Sequence, residues 1–416
     1  MGPSDVRPVY GSTKEFFASR APLAMPVYRG QCVTFKMFGS TFPRMKQKRI
    51  LVKSSAGRYA VLFGEGILRR ASNEIRKLGE FSSTHIVSSP KVWRAVGNRV
   101  REGLRLNSSS AVHLFNDAES VKNLGTVERI ARSLSRAGAD RKSLILAVGG
   151  GVVGDVAGFV AAAYLRGVAL VQVPTTLIAQ VDSALGGKTG VDLPEGKNLV
   201  GAFYPPRLVL ADLHALRTLP QRQYRGGLAE VIKYGVIADA KLFAFLEANF
   251  ERILRRDHDA LRYFIPRSIE IKADVVSRDE RESSLREMLN FGHTFGHALE
   301  SVTKYKRYQH GEAVAWGMMA AALLGHEVGV TRADEVSRIV RLVRRMGPLP
   351  AWPRVPPAKL IAAMRTDKKT RAGRLRFVLA PRIGQARSYD DVPVRVVERV
   401  LHFAPHFVDG TGNRHV

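Results

Sequence analysis

At 416 residues, with 45% hydrophobic and 25% charged residues, the chain has the length for about two domains with real cores and the composition of a soluble globular protein. A single cysteine, Cys32, excludes an internal disulfide and a multi-cysteine metal site. The net charge of +28 is unusual, but its Lys and Arg are dispersed without a block, which suits a solvated surface and phosphorylated small molecules better than a nucleic-acid footprint, and no run approaches 18 uninterrupted apolar residues; a cytoplasmic protein with neither nucleic-acid nor membrane partners is expected.

Residues 1–48 hold only two acids, Asp5 and Glu15, and show no apolar periodicity. They read as an extension expected to be disordered, as a targeting segment, or as translation from an upstream start, with Met45 just ahead of the first strand-like pattern. From residue 49 strand and helix alternate. Strands at 50–53 and 59–63 flank a Ser-Ala-Gly turn, a hairpin signal. A helix to 78, a strand at 85–88, a helix over 90–107, a strand at 111–115 and a helix over 122–137 follow. A buried strand at 143–148 then meets the turn Gly149–Gly151, a helix over 152–164 and a strand at 169–173. Such alternation calls for a parallel sheet covered by helices. Beyond Asp212 the pattern is helical, over 221–237, 240–254, 258–276, 283–303, 312–328, 333–345 and 357–365, with a short strand at 375–379. The boundary falls near Thr218, giving an α/β domain over 49–218, a mainly helical domain over 219–404 and a tail over 405–416.

The stretch from Leu285 to Glu300, LREMLNFGHTFGHALE, carries the densest chemistry. On one helix Arg286, Asn290, His293 and His297 would fall at about 0°, 40°, −20° and 20°, a single polar stripe. Four such groups in an otherwise apolar helix are costly unless paired or bound, so the stripe points to a metal and an anionic, hydroxylated ligand. Glu230 and Lys233 share a helix face three residues apart, and His310 opens a helix elsewhere. Glu230, His293 and His310 would make a two-histidine, one-carboxylate set with open positions, as a catalytic zinc requires. The sequence HTFGH lacks the glutamate of the HExxH metalloprotease motif, which argues against a peptidase.

Gly149 to Asp155 matches G-x-G-x-x-G between a strand and a helix, a pyrophosphate-binding context. No acid follows about 20 residues on, as the usual fingerprint would have it. The segment from Asp182 to Thr189 is not a P-loop, because Asp182 stands where the first glycine is needed. It leaves a glycine-rich turn presenting Lys188, with Lys197 and Asn198 expected on the same loop; such a loop suits a phosphate or carboxylate, or is simply a solvated pair of lysines.

From about residue 49 to 403 the chain resembles the 3-dehydroquinate synthase family of sugar-phosphate cyclases. The stretches that carry the resemblance are GGGVVGDVAGFVAAAYLRG, VQVPTTLIAQVDSALGGKTGVDLPEGKNLVGAFYPP, GGLAEVIKYG, LREMLNFGHTFGHALE, HGEAVAWGM and TDKKTRAGRLRFVL. It implies an α/β N-terminal Rossmann-like NAD-binding domain plus a mainly α-helical C-terminal metal-binding domain, in a homodimer. It implies conversion of 3-deoxy-D-arabino-heptulosonate 7-phosphate to 3-dehydroquinate and phosphate, by oxidation, phosphate elimination, reduction and intramolecular aldol closure. On this sequence it implies that Glu230, His293 and His310 bind Zn2+, or Co2+ in its place. Asp117, Glu119, Lys122, Gly150, Gly151, Val152, Asp155, Thr175, Thr176, Lys197 and Thr218 would contact NAD, with Glu119 and Lys122 at the ribose in place of the missing acid. Asp182, Lys188, Asn198, Lys233, Lys272, Arg286, Asn290 and His297 would surround the substrate. Arg166 would reach the phosphate across the dimer interface, joined by Lys368 or Lys369. The family often has Asp or Asn where Ser88-Ser89 stand here. The nearest alternative is a sister cyclase acting on sedoheptulose 7-phosphate, which has no carboxylate.

Overall fold

The computed structural model describes residues 47–106, 110–366, 375–390 and 392–407, so residues 1–46 of the extension, Lys368, Lys369 and the tail beyond 407 lie outside the described residues. The chain opens with β1 (Gln47–Ser54) and β2 (Gly57–Gly64), then α1 (Ala71–Arg76), β3 (Thr84–Ser88), α2 (Pro90–Leu104), β4 (Ser110–Leu114), α3 (Leu124–Arg136), β5 (Leu144–Gly149), α4 (Gly151–Ala163) and β6 (Ala169–Pro174). A second hairpin follows, β7 (Lys188–Leu193) and β8 (Gly196–Phe203), and then β9 (Leu208–Asp212). After it come α5 (Gln221–Ala238), α6 (Ala240–Leu254), α7 (His258–Arg278), α8 (His293–Val302), α9 (His310–Glu327), α10 (Ala333–Arg344) and α11 (Pro357–Thr366). A small hairpin of β10 (Phe377–Arg382) and β11 (Gln385–Tyr389) precedes α12 (Val394–Phe403).

The main sheet runs β1-β2-β9-β6-β5-β3-β4. β1 and β2 pair antiparallel and the remaining pairs are parallel. Strand side chains alternate faces with a period of two. Leu144, Leu146 and Val148 of β5 therefore join the core under α1 and α2, while Ile145 and Ala147 join the core under α3 and α4. The same alternation splits β2: Ala60 and Leu62 face one way, Val61 and Phe63 the other. Val61 and Phe63 enter a core continuous with the helical half, through Leu228 and Val231 of α5 to Met318 of α9. One edge of the sheet thus seats the helices.

β3 continues outward to β4 and β5 continues in the opposite direction to β6, so the carboxyl ends of β3 and β5 flank the point where strand order reverses. Gly149–Gly151 leave β5 at this crevice. Ser88 and Ser89 leave β3 beside it, but both hydroxyls serve the scaffold. Ser88 Oγ donates to Val148 O at 2.8 Å, and Ser89 Oγ accepts from Val92 N at 3.3 Å, capping α2. Among the described residues no helix is long and apolar enough to cross a membrane.

Two expectations are corrected. The helix expected over 283–303 is broken: Leu285–Asn290 is a 3-10 helix, and α8 begins only at His293. Gly292, at φ +79°, takes a left-handed conformation between them, and a Cβ there would come within 2.7 Å of Met318 N. Arg286 and Asn290 therefore do not continue the His293–His297 stripe. Nor do Lys188, Lys197 and Asn198 share one loop. Lys188 starts β7 opposite Phe203, while Lys197 and Asn198 lie on β8 just beyond the turn at the other end of the hairpin.

Candidate active site

Glu230 projects from α5, His293 is the first residue of α8 and His310 the first of α9. The helices meet closely enough because small residues line their crossings. A Cβ on Gly311 would lie 2.0 Å from Gly226 O, so α9 starts against the backbone of α5 one turn before Glu230. Glu230 is 1% exposed, and its Oε1 lies 3.6 Å from His293 Nε2 and 3.7 Å from His310 Nε2. That oxygen is buried without a hydrogen-bond partner. Its other oxygen accepts from Lys233 one turn on, so the Glu230–Lys233 pair is buried. An orphaned buried carboxylate oxygen is costly. Facing two imidazole nitrogens, it has the donor set of a divalent cation site.

His297 sits one turn further along α8, its ring 5.4 Å from that of His293 and 6.0 Å from that of His310. With Glu300 and His310 it forms a second cluster of suitable atoms. Glu300 Oε2 is 3.2 Å from His310 Nδ1 and its Oε1 accepts from Lys197 Nζ at 3.2 Å. Burial alone would raise the Glu300 pKa, but His310 and then Lys197 outweigh it and bring it down to about 2.

A second cluster lies on the turn after β6. Asp182, in a π-helical turn over Ala179–Ser183, accepts from Lys272 Nζ at 2.7 Å and from Tyr234 OH at 2.6 Å. Burial would raise the Asp182 pKa, but Lys272 and Lys233 pull it well below the usual carboxylate range. Burial brings Lys272 down to about 8; Asp182 opposes this, and Arg286 and Lys233 add to it. Arg286 is only 2% exposed. Its NH1 donates to Glu280 O at 2.5 Å, while its Nε is buried without a partner among the described residues. Lys188 contacts Glu282, and Asn290 Nδ2 donates to the same carboxylate at 2.9 Å.

A third group stands at the switch point. Gly150 caps α4 with no side-chain cap, and a Cβ there would sit 3.0 Å from Thr176 Cγ2, so the glycine keeps the approach to the helix N-terminus open. Gly151, Val152 and Asp155 form the first turns of α4, and Thr175 is buried at the end of β6. Lys122 Nζ donates to Asp155 Oδ2 at 2.6 Å and to Asn198 Oδ1 at 2.5 Å. Asn198 thus stands with Lys122 rather than with Lys188. Lys197 lies 3.0 Å from Glu119, which with half-buried Asp117 occupies the segment after β4. Burial works against charge on Lys197, but Glu300 and then Glu119 outweigh it and raise its pKa. Arg166 and Thr218 are exposed, and among the described residues no hydrogen bond or ion pair joins them to these clusters.

Tyr234, Glu282 and Glu300 were not singled out from sequence, yet each bonds a residue that was. Glu300 carried a usable signal, being three residues beyond His297 on one helix face. Tyr234 carried none, since its partner Asp182 lies far away in sequence; Glu282 meets Lys188 from as far, and Asn290 only across the 3-10 turn that replaces the expected helix.

The chain is similar to known proteins along most of its length. Models of the 3-dehydroquinate synthase N-terminal and C-terminal regions match residues 112–226 and 227–370. The chain is 48% identical over 330 residues to a 3-dehydroquinate synthase of Pelotomaculum thermopropionicum, covering 79% of this chain and 89% of that protein. Among solved structures it is similar to 2-epi-5-epi-valiolone synthase from Streptomyces hygroscopicus with NAD+ and Zn2+ bound, at 30% identity and a TM-score of 0.76 over 84% of this chain and 97% of that one. It is also similar to 2-deoxy-scyllo-inosose synthase complexed with carbaglucose-6-phosphate, NAD+ and Co2+, at 29% identity and a TM-score of 0.74 over 85% of this chain and 99% of that one.

Proposed function

The chain belongs to the 3-dehydroquinate synthase family, similar structures hold NAD+ with Zn2+ or Co2+, and from that premise we propose how its residues divide the conversion of 3-deoxy-D-arabino-heptulosonate 7-phosphate to 3-dehydroquinate and phosphate. Glu230, His293 and His310 hold the metal. The observation that carries this is the Glu230 oxygen, buried, unpartnered and facing both Nε2 atoms. The open start of α4, with Gly150, Gly151, Val152 and Asp155, takes the dinucleotide, with Asp117, Glu119, Lys122, Thr175, Thr176, Lys197 and Thr218 around it. Bound there, the dinucleotide supplies a hydride acceptor and the metal a Lewis acid.

The chain's own groups do the rest. His297, half-buried beside His293, takes the proton from the substrate hydroxyl, directly or through a water. Lys188, Lys233, Lys272, Asn198 and Asn290 hold the anionic and hydroxyl groups of the sugar, and Asp182 orients Lys272. Arg286 takes the carboxylate: a planar guanidinium with a free buried Nε suits bidentate capture. By the same proposal residues 49–218 form the dinucleotide-binding domain and 219–404 the metal-binding domain of a cytoplasmic homodimer, in which Arg166 reaches the partner's site.

Arg286 also sets the substrate. Left unpaired beside a neutral group, it would cost about 3–5 kcal/mol, or roughly 10²–10⁴ in relative efficiency. Phosphate release is therefore measured from the heptulosonate phosphate and from sedoheptulose 7-phosphate, with and without NAD, in wild type and in Arg286→Ala. Strong preference for the carboxylate substrate, collapsing in Arg286→Ala through loss of the native reaction, is expected. Comparable turnover of both sugars by wild type overturns the assignment in favour of a sister cyclase.

A further inference from the structure

Glu300 lies on α8 one turn beyond His297 and is 3% exposed. A carboxylate at that depth is costly unless both oxygens are paired, and both are. One faces His310 Nδ1 and the other Lys197 Nζ, each at 3.2 Å. Lys197 reaches on to Glu119 at 3.0 Å and lies 4.4 Å over the ring of Tyr305. A chain of contacts, His310–Glu300–Lys197–Glu119, therefore joins the metal centre to the dinucleotide end of the site.

Glu300 has a competing use, as a ligand together with His297 and His310. Two features argue against it. His310 turns Nδ1 toward Glu300 and Nε2 toward Glu230, and an imidazole that ligates through one nitrogen is commonly oriented by a carboxylate on the other. The second oxygen of Glu300 is already matched by an ammonium, whereas Oε1 of Glu230 has no hydrogen-bond partner.

We propose that Glu300 is a positioning residue: it fixes the His310 ring for metal binding and, through Lys197, ties metal occupancy to dinucleotide affinity. The proposal rests on Glu230, His293 and His310 as the metal set. With Nδ1–H held by the carboxylate, neutral His310 presents the Nε2 lone pair to the cation. Any shift of Glu300 changes how Lys197 is held between its two acids.

The test titrates metal-free protein with Zn2+ against a chromogenic chelator, and titrates NAD+ by calorimetry onto metal-free and zinc-loaded protein. The proteins are wild type, Glu300→Gln, Glu300→Ala, Lys197→Met and Glu230→Gln. Glu300→Ala should bind zinc about 10–100-fold more weakly, with an NAD+ affinity that no longer responds to zinc. Glu300→Gln, whose amide oxygen still accepts from Nδ1–H, should stay within roughly threefold of wild type for zinc yet lose the response of NAD+ affinity to zinc. Lys197→Met should weaken NAD+ and leave zinc affinity unchanged. Wild-type zinc affinity in Glu300→Ala, or an NAD+ affinity in wild type indifferent to zinc, overturns the proposal. If Glu300→Ala does not fold, persistence of the zinc response in both Glu300→Gln and Lys197→Met overturns it. Failure of the metal set itself looks different: wild type and Glu230→Gln would then bind zinc alike.

Discussion

Lys272 Nζ stands 2.7 Å from Asp182 Oδ1, so an ammonium with a pKa near 8 is held by a carboxylate far below its usual range. Lys272 must be charged to hold an anion, so it acts below its pKa and is lost above it. The alkaline limb of kcat/KM should therefore fall near pH 8. Asp182 is the main group raising the Lys272 pKa against burial, so Asp182→Asn should move that limb to lower pH. A pH profile of each protein checks this; a limb that Asp182→Asn leaves in place would show that another group titrates.

The two clusters that share His310 make opposite predictions. With Glu230, His293 and His310 as ligands, His297→Ala keeps about one metal per chain and loses roughly 10²-fold or more in turnover. Glu230→Gln and His310→Ala lose the metal. Elemental analysis of purified variants decides; an empty His297→Ala beside a loaded Glu230→Gln would move the ion to the other cluster.

Gly311 allows α9 to start against α5. A Cβ at that position would overlap Gly226 O at 2.0 Å, an atom of rigid backbone. Gly311→Ala must push the helices apart, costing about 1–3 kcal/mol of stability and moving His310 away from Glu230. Zinc affinity should fall further than the melting temperature suggests. Chelator competition together with calorimetry checks it, and an unchanged zinc affinity would mean that the crossing does not set the ligand spacing.

Long, regularly patterned helices were the legible part of the fold. The starts of α5, α6 and α7 follow Pro220, Asp239 and Asp257, residues suited to end a turn and begin a helix, and the observed bounds match the expected ones closely. The break before α8 was not legible. A glycine within an apolar run looks the same whether it packs against a neighbouring helix or turns left-handed, and only Met318, on another helix, decides. β7 and β8 were hidden for a different reason: GKNLVGAF is polar and glycine-rich, with little apolar alternation to mark a strand. For the site, residue types at helical spacing were readable, as with Glu230 and Lys233. Which carboxylate each lysine meets depends on contacts such as Lys272–Asp182, and no local pattern encodes those.

His85 and His113 form a buried chain on β3 and β4, with His85 Nδ1 3.1 Å from His113 Nε2, Ser83 at one end and Ser133 at the other. Burial lowers both pKa values; for His113, with His85 adding, to about 4. The folded state therefore binds fewer protons than the unfolded one. The stability these neutral rings contribute is complete above about pH 6.5 and is lost as pH falls toward 4. For His113 alone the loss is about 2 kcal/mol at pH 5. Denaturant melts at pH 8 and pH 5 should show this loss in wild type and a smaller one in His113→Asn; equal losses would place the acid sensitivity elsewhere.

The three proposed metal ligands open or project from three helices, α5 well upstream of the consecutive α8 and α9, and the set is complete only where all three pack. A partly folded chain therefore offers no preformed set for an ion to capture. Metal would enter late, after the rate-limiting step of folding, and would act as a latch on the finished structure. Zinc should then slow unfolding steeply while leaving the refolding rate almost unchanged. Stripping the metal would shorten the lifetime of the native state without affecting how quickly the chain finds it.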